Sequence, residues 1–477
     1  MRRGLFASTL AALLVGCTAV GPDYERPKVD MPATWRVDTA QASALANARW
    51  WEQFNDPVLN ELVDTALREN RDLRAAAARV DQFVGQLRTT RAQFYPQIGY
   101  GVDASRNRAT EKGPTPLPAG TDPWYSLYQG ALGATWQIDL FGRVQRQSEA
   151  AQAQVFASEQ GRRGVVLSVV TSVAASYIAL RALDRQREIA QATAKNYAET
   201  LRIFELRFKG GVVSEVELAQ VRSQYEQARA AVPVLEQQVA AQENLISILL
   251  GANPRSIKRG RSIDELAAPA IPGGLPSSLL ERRPDVQQAE QNLVAANANV
   301  GVAQSLYYPT FNLTGVLGLA SAALGDFLSS GAGVVTLGAG LAGPIFTGGA
   351  IEGQVFSAEA AQREAYEFYR QVILNALRET NDALVGTDKR TRESEAQRRR
   401  VTALRDYARL SRLRFDNGYA GYLEVLYAEN ELFSGELTAV RSNAERLTEY
   451  VNVYKAMGGG WIDEADKLAP KAQGFVE

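Results

Sequence analysis

The chain has 477 residues, a nearly balanced charge of 52 Lys and Arg against 53 Asp and Glu, and no histidine. Balanced charge gives no general attraction to a polyanion such as nucleic acid, and the lack of histidine removes the commonest general base and metal ligand. The single cysteine, Cys17, excludes an internal disulfide and a thiolate metal site, so neither a catalytic nor a metal-binding set of residues is expected.

Arg2 and Arg3 precede an apolar run over residues 5–15. Eleven residues are too few to span a bilayer, which takes about 20, so residues 1–16 read as a signal peptide. It ends in Leu14-Val15-Gly16-Cys17, which resembles a bacterial lipobox. The expectation is cleavage before Cys17, with S-diacylglycerol and N-palmitoyl groups on that residue and no other cofactor. Thr18 instead of Asp follows, which fits retention in the outer membrane by analogy with bacterial lipoproteins. Residues 17–56 hold Pro22, Pro27, Pro32 and the aromatic residues Trp35, Trp50, Trp51 and Phe54, and are expected to wrap over the outside of the body.

Residues 57–92 read as helix, with Pro96 ending it. Beyond Pro96, Ile98, Tyr100, Val102 and Ala104 alternate with Gly99, Gly101, Asp103 and Ser105, which is strand spacing. Strands are expected at about 96–108 and 125–141, joined by a loop rich in glycine and proline. Residues 143–208 contain no proline and give a helix of roughly 100 Å at about 1.5 Å per residue. Val166, Val170, Val173, Tyr177 and Leu180 step by 4-3-4-3, the mark of coiled-coil packing. A second helix is expected over 214–250, kinked at Pro233.

The same order then repeats. Arg207-Phe208-Lys209-Gly210-Gly211 returns as Arg414-Phe415-Asp416-Asn417-Gly418, an offset of 207 residues, and Phe94-Tyr95-Pro96 returns as Tyr307-Tyr308-Pro309. A period this long is a domain-sized duplication, beyond the roughly 20–50 residues of solenoid repeats. The first repeat is placed at 57–251, a linker at 252–282, and the second repeat at 283–460. Its strands fall at about 309–320 and 332–346 and its long helices at 351–415 and 421–457, leaving 461–477 as a tail. The charged run from Asp388 to Arg400 reads as a solvated helix face.

Between Glu290 and Glu352 the only charged residue is Asp326, in a chain that is 22% charged. Glycine and proline break this stretch too often for a membrane helix, whereas strands of about 10 residues with one apolar face fit a transmembrane β-barrel. Four strands cannot close a barrel, and open edges are not tolerated in lipid. Two copies give eight strands, whose side chains fill the interior. Three copies give twelve, the smallest ring of this kind that leaves a lumen. The fold class expected is therefore a mixed α and β membrane protein: a trimeric 12-stranded transmembrane barrel, four strands per chain, continued by a long α-helical barrel, which the resemblance described next places in the periplasm.

Gly274-Leu275-Pro276 through Glu281-Arg282-Arg283-Pro284-Asp285-Val286 is similar to the link between the halves of outer membrane factors, the TolC-like ducts. Asp139-Leu140-Phe141-Gly142-Arg143, Ala231-Val232-Pro233-Val234-Leu235-Glu236 and Met457-Gly458-Gly459-Gly460-Trp461 continue that resemblance. Gly21-Pro22-Asp23-Tyr24 after the lipobox resembles the NodT-like lipoprotein branch, which tolerates proline at the position of Pro233. The resemblance implies a homotrimer in the outer membrane that projects into the periplasm. Its implied partners are a periplasmic membrane-fusion adaptor and an inner-membrane transporter of the resistance-nodulation-division type, and its function is export of small molecules, without enzymatic activity.

By the same resemblance, Arg207, Phe208, Gly211, Arg414, Phe415 and Gly418 form the hairpin tips that meet the adaptor. Glu217 and Glu424 match acids near the periplasmic constriction, where three copies of Glu424 would make a carboxylate ring favouring cations. The alternative is that both are helix N-terminal acids favoured by the helix dipole. Ala420 stands where related ducts can carry a basic latch residue, so Arg207 or Arg414 is the substitute, with Tyr419 and Tyr422 closing the gate by contact. Two other functions compete: the exit of a type I protein secretion system, and a structural coiled-coil lipoprotein without a channel.

Overall fold

The computed structural model describes residues 19–36, 48–110, 112, 117, 118, 120–271 and 276–474. The signal peptide and Cys17 lie outside the described residues. The chain forms two compact units. One gathers residues 19–27, Asp81–Ala157 and Glu290–Phe368; the other gathers Lys28–Val80, Ser158–Ala289 and the chain from Tyr369 onward.

The first unit is built on four antiparallel strands, β1 (Gln97–Arg108), β2 (Trp124–Ile138), β3 (Thr310–Ser321) and β4 (Gly333–Ala342), paired in the order β1-β2-β3-β4. Each chain copy thus supplies two neighbouring strands. The register sets Tyr100 opposite Leu132, Leu132 opposite Leu317, and Leu317 opposite Val335. Because successive side chains alternate between faces, this row places Ile98, Tyr100, Leu132, Trp136, Leu313, Leu317, Leu337 and Leu341 on one face. The other face carries Gly99, Gly101, Gln129, Thr135, Asn312, Thr314, Thr336 and Gly338. Large apolar residues prevail on one side and small or polar ones on the other, with Tyr125, Leu127, Val316 and Val334 as apolar members of the second face and Arg106 and Arg108 as charged members of the first. The strands are largely exposed, and Tyr100 and Leu337 are each 85% exposed. Among the described residues β1 and β4 each pair along one edge only.

β2 and β4 stop before the expected residues 141 and 346. Asp139 turns its carboxylate to the Gln145 amide, which donates to it at 2.9 Å, and Pro344 has no amide hydrogen with which to extend a ladder. In the same unit, residues 19–27 dock as an extended strap. The Arg146 guanidinium donates to the Val20 carbonyl at 3.1 Å and to the Asp23 carboxylate at 2.8 Å. Asn297 donates to the Pro22 carbonyl at 2.9 Å, and Arg26 pairs with Glu290.

The expected helix over 57–92 is two helices, α1 (Pro57–Glu69) and α2 (Arg71–Arg91). Asn70 makes the break: its side-chain oxygen accepts from the Asp72 and Leu73 amides at 2.9 and 3.1 Å, which caps α2. The long helices are α3 (Arg143–Lys209) and α4 (Glu215–Leu249) in the first copy, with α5 (Pro284–Gln304) opening the second. They are matched by α6 (Ala350–Asp416) and α7 (Tyr422–Met457). α4 continues on both sides of Pro233. A last short helix, α8 (Trp461–Asp466), follows.

The second unit holds the main apolar core, drawn from α1, α3, α4 and α7 with Ile257, Ile263 and Leu266 of the linker. Its centre corrects the reading as an outer wrapping for residues 50–54. Trp50, Trp51 and Phe54 are fully buried in a short helical turn (Trp50–Phe54). Trp50 stacks on Tyr454 at 5.1 Å, and both tryptophans meet Trp461 edge-on at 5.8 and 5.9 Å. Large rings gain more from burial than from covering a surface. The supposed tail is likewise partly core. The Arg162 side chain is fully buried and donates to both oxygens of Asp466, at 2.6 and 2.9 Å, and to the Pro470 carbonyl at 3.2 Å.

Candidate functional site

The residues singled out at the two hairpin tips all fall in the second unit. α3 ends and α4 begins around Gly211; α6 ends and α7 begins around Gly418. The two reversals use one backbone motif. The Gly211 amide donates to the Phe208 carbonyl and the Val212 amide to the Arg207 carbonyl, both at 2.9 Å. At the other tip the Gly418 amide donates to the Phe415 carbonyl at 2.9 Å and the Tyr419 amide to the Arg414 carbonyl at 2.8 Å. These pairs satisfy the last carbonyls of each long helix. The motif demands a left-handed residue, and Gly211 and Gly418 supply it at φ 72° and 76°.

Beyond the turn the two tips differ. Ser214 starts α4 with a capping box: the Glu217 amide donates to the Ser214 hydroxyl at 3.2 Å, and the Ser214 amide donates to the Glu217 carboxylate at 2.8 Å. Gly421, one period later, has no side chain to cap α7. Glu424, freed from that duty, accepts from Arg414 at 2.9 Å and from the Ser411 hydroxyl at 3.3 Å. The same position in the repeat is therefore a helix cap in one copy and half of an ion pair in the other. A ring of Glu424 side chains would carry its own counter-charges, because each carboxylate is already met by an arginine of its own chain.

A small apolar cluster joins the tips, separate from the main core: Phe204, Leu218 and Val221 from the first copy with Tyr422, Val425 and Leu426 from the second. The Tyr422 ring lies 4.3 Å from that of Phe204 and 5.0 Å from that of Phe415. Tyr422 is 2% exposed, which corrects its reading as a gate residue acting by surface contact. Burial, reinforced by the nearby Glu429 charge, pushes its hydroxyl up to about 12. Tyr419, by contrast, is 79% exposed. Arg207 lies over Phe204 and Phe415, at 5.9 and 5.8 Å from their ring centres, and so bridges the copies where Arg414 holds Glu424. Phe208 is 40% exposed, and Val212 and Leu423 are exposed as well. Phe415 is half-buried.

Sequence reasoning missed Ser214, although Ser-x-x-Glu before a helix is a readable start signal.

A family model described as outer membrane efflux protein matches residues 62–252 and 275–459, one block for each repeat. The chain is 31% identical over 479 residues to the toluene efflux pump outer membrane protein TtgC of Pseudomonas putida, with 99% of each chain covered. It is 30% identical over 460 residues to a protein of Salmonella typhimurium described as probable outer membrane lipoprotein SilC, covering 94% of this chain and 97% of that one. The structure is similar to the open state of the Neisseria gonorrhoeae MtrE outer membrane channel, with a TM-score of 0.83 and 28% identity over 93% of this chain and 99% of the other.

Proposed function

The chain belongs to the outer membrane efflux protein family, and from that premise we propose that it is the exit duct of a tripartite efflux system, passing small molecules through the outer membrane. One observation carries the reading: a four-stranded sheet with a mainly apolar face, a mainly small or polar face and two edges that are unpaired among the described residues. In lipid each unpaired backbone group costs several kcal/mol, so the edges must be met. Three copies meet them as a ring of twelve strands with the Gly99 and Thr314 face inward. The long helices continue the passage into the periplasm, where the Gly211 and Gly418 tips engage an adaptor fed by an inner-membrane pump. The duct itself makes and breaks no bonds.

Cys17 is the acyl anchor in this reading. The strap that follows it, held by Arg146, Asn297 and Glu290, fixes the chain a few residues from the lipid. Cys17→Ala is expected to abolish incorporation of labelled palmitate, and label persisting in the variant would place the anchor elsewhere. A structural coiled-coil lipoprotein does not account for the sheet, since a spacer needs no amphipathic strands. The duct reading is tested by deleting the gene and following retention of a fluorescent efflux substrate such as Nile red. Slower loss of dye, restored by the intact gene, supports it; unchanged dye loss with impaired release of a secreted protein would assign the chain to protein secretion.

A further inference from the structure

The strap over residues 19–27 is seated by shape as well as by hydrogen bonds. A Cβ at Gly21 would fall on the Gly301 Cα, and one at Gly301 would stand 2.7 Å from the Val20 carbonyl oxygen. One at Gly142 would fall on Ala19. Three glycines thus let backbone meet backbone where a side chain would hold the strap off. The Val20 amide donates to the Phe141 carbonyl at 3.1 Å. Arg146 donates to the Val20 and Gly21 carbonyls at 3.1 and 3.2 Å, and Asn297, which donates to Pro22, is itself held by Gln362 at 2.8 Å. The strap therefore has one seat and one register.

That seat fixes where the upstream end of the strap lies. Ala19 rests on Gly142 and Val20 on Phe141, just beyond the end of β2. The Leu140 amide donates to the Ile138 carbonyl at 3.1 Å, a turn that keeps Phe141 beside the last residue of β2. The Phe141 ring stacks on Tyr308, two residues ahead of β3, at 4.7 Å. Cys17 stands two residues upstream of Ala19, a span of at most about 7 Å. The nearby base of the sheet is apolar: Ile138 faces Phe311, Trp136 faces Leu313, and Leu341 follows beside Phe311. Arg106 and Arg108, the charged members of that face, lie at the far end of β1.

We propose that the strap is a keyed tether that seats the acyl groups of Cys17 on the apolar base of β2 and β3, against Trp136, Ile138, Phe311 and Leu313. The inference rests on the reading of Cys17 as the acyl anchor. Tethering does the placing, not affinity. Lipid tails are as apolar as leucine, so a free lipid has no preference for this patch, whereas a chain attached about 7 Å from Ala19 stays at high local concentration there. The anchor then bears on the two central strands and leaves the β1 and β4 edges clear for other copies.

The test is photocrosslinking in intact membranes. Cells are grown on palmitate carrying a mid-chain diazirine and irradiated, and the full-length protein is purified and digested. Only peptides joined through the acyl chain to the Cys17 peptide are counted, which excludes label from bulk lipid. Residues 136–141 and 308–313 are expected to carry at least threefold more crosslink than residues 97–104 of β1 or 333–339 of β4. A flexible insert of about 12 Gly and Ser residues between Thr18 and Ala19 reaches roughly 20 Å. It leaves the seat intact and should even out that ratio. Gly301→Val, which unseats the strap, should do the same. Crosslinks spread evenly over the apolar face of the unaltered protein, or a ratio that the insert does not change, would overturn the tether while leaving Cys17 acylated. A Cys17 peptide without any acyl group would remove the anchor itself, and the tether with it.

Discussion

The first hairpin end, around Gly211, and the second, around Gly418, reverse the chain with the same pair of backbone hydrogen bonds and the same left-handed glycine, yet they are fastened by different chemistry. In the first, Ser214 and Glu217 cap α4 through its backbone, a local bond that ties the helix only to its own start. In the second, Gly421 leaves α7 uncapped, and Glu424 reaches across the turn to Arg414 on α6. The contrast extends along the helices. α6 and α7 are joined by Arg390 to Glu445, Arg400 to Glu431, Arg405 to Glu436 and Arg414 to Glu424, with every arginine on α6 and every glutamate on α7. Between α3 and α4 the ion pair is Arg222 to Glu205, at 3.4 Å. Duplication thus preserved the turn, which backbone sterics dictate, and let the fastening diverge: one hairpin is held by capping and apolar packing, the other by a ladder sensitive to salt.

Removing the residue common to both ends should have the largest effect. Tyr422→Ala empties the centre of the shared cluster, and large-to-small changes at buried aromatic sites cost about 3–5 kcal/mol. Hydrogen exchange should then quicken at residues 201–221 as well as 415–426. Faster exchange confined to the second hairpin would mean that the cluster does not couple the copies.

Capping comes next. Ser214→Ala is expected to lower stability by about 1 kcal/mol, read as faster exchange in the first turn of α4. Gly421→Ser builds the missing box and should change stability by only a few tenths of a kcal/mol. Its sharper readout is that Glu424 becomes less dependent on Arg414. If both substitutions shifted stability equally, the two ends would not differ as described.

The exposed ion pair is smaller still. Arg414→Gln should cost about 0.5 kcal/mol at low salt and almost nothing at 1 M NaCl, where the screening length falls to about 3 Å. A loss that survives high salt would assign Arg414 a packing role instead.

The last effect is a matter of pH. Burial raises the Glu429 carboxyl above its ordinary 4.5 despite Arg412. The folded state therefore disfavours the charged form, and this penalty is complete above the raised value and absent below 4.5. Glu429→Gln should melt later than the parent at pH 8, with the difference narrowing toward pH 4. A difference that widened with acid would reverse the sign.

The strands and long helices were legible because their periodicities, 2 and 3.5–3.6, run for many residues, and because each was written twice. The turns were legible through their glycines. The misreadings share a cause, which is partners distant in sequence. Trp50 and Trp51 lie in an irregular stretch with no period to show an inner face, and their partners Tyr454 and Trp461 come some 400 residues later. Tyr422 opens a helix beside a turn, where exposure is the ordinary expectation, and is buried because Phe204 of the other copy meets it. The divergent roles of Glu217 and Glu424 were half visible, in Ser214 against Gly421. Arg414 obeys no helical spacing with Glu424, since the turn lies between them.

The claim beneath all of this is that β1 of one protomer completes β4 of the next. Pairing cysteines along β1, at Gly99, Gly101 or Asp103, with Thr336→Cys on β4 and oxidising intact membranes tests it directly. At least one pair should give a covalent trimer on non-reducing gels that collapses to one chain after reduction. Monomers throughout the series, from a protein that still reaches the membrane, would contradict closure of the barrel by three chains.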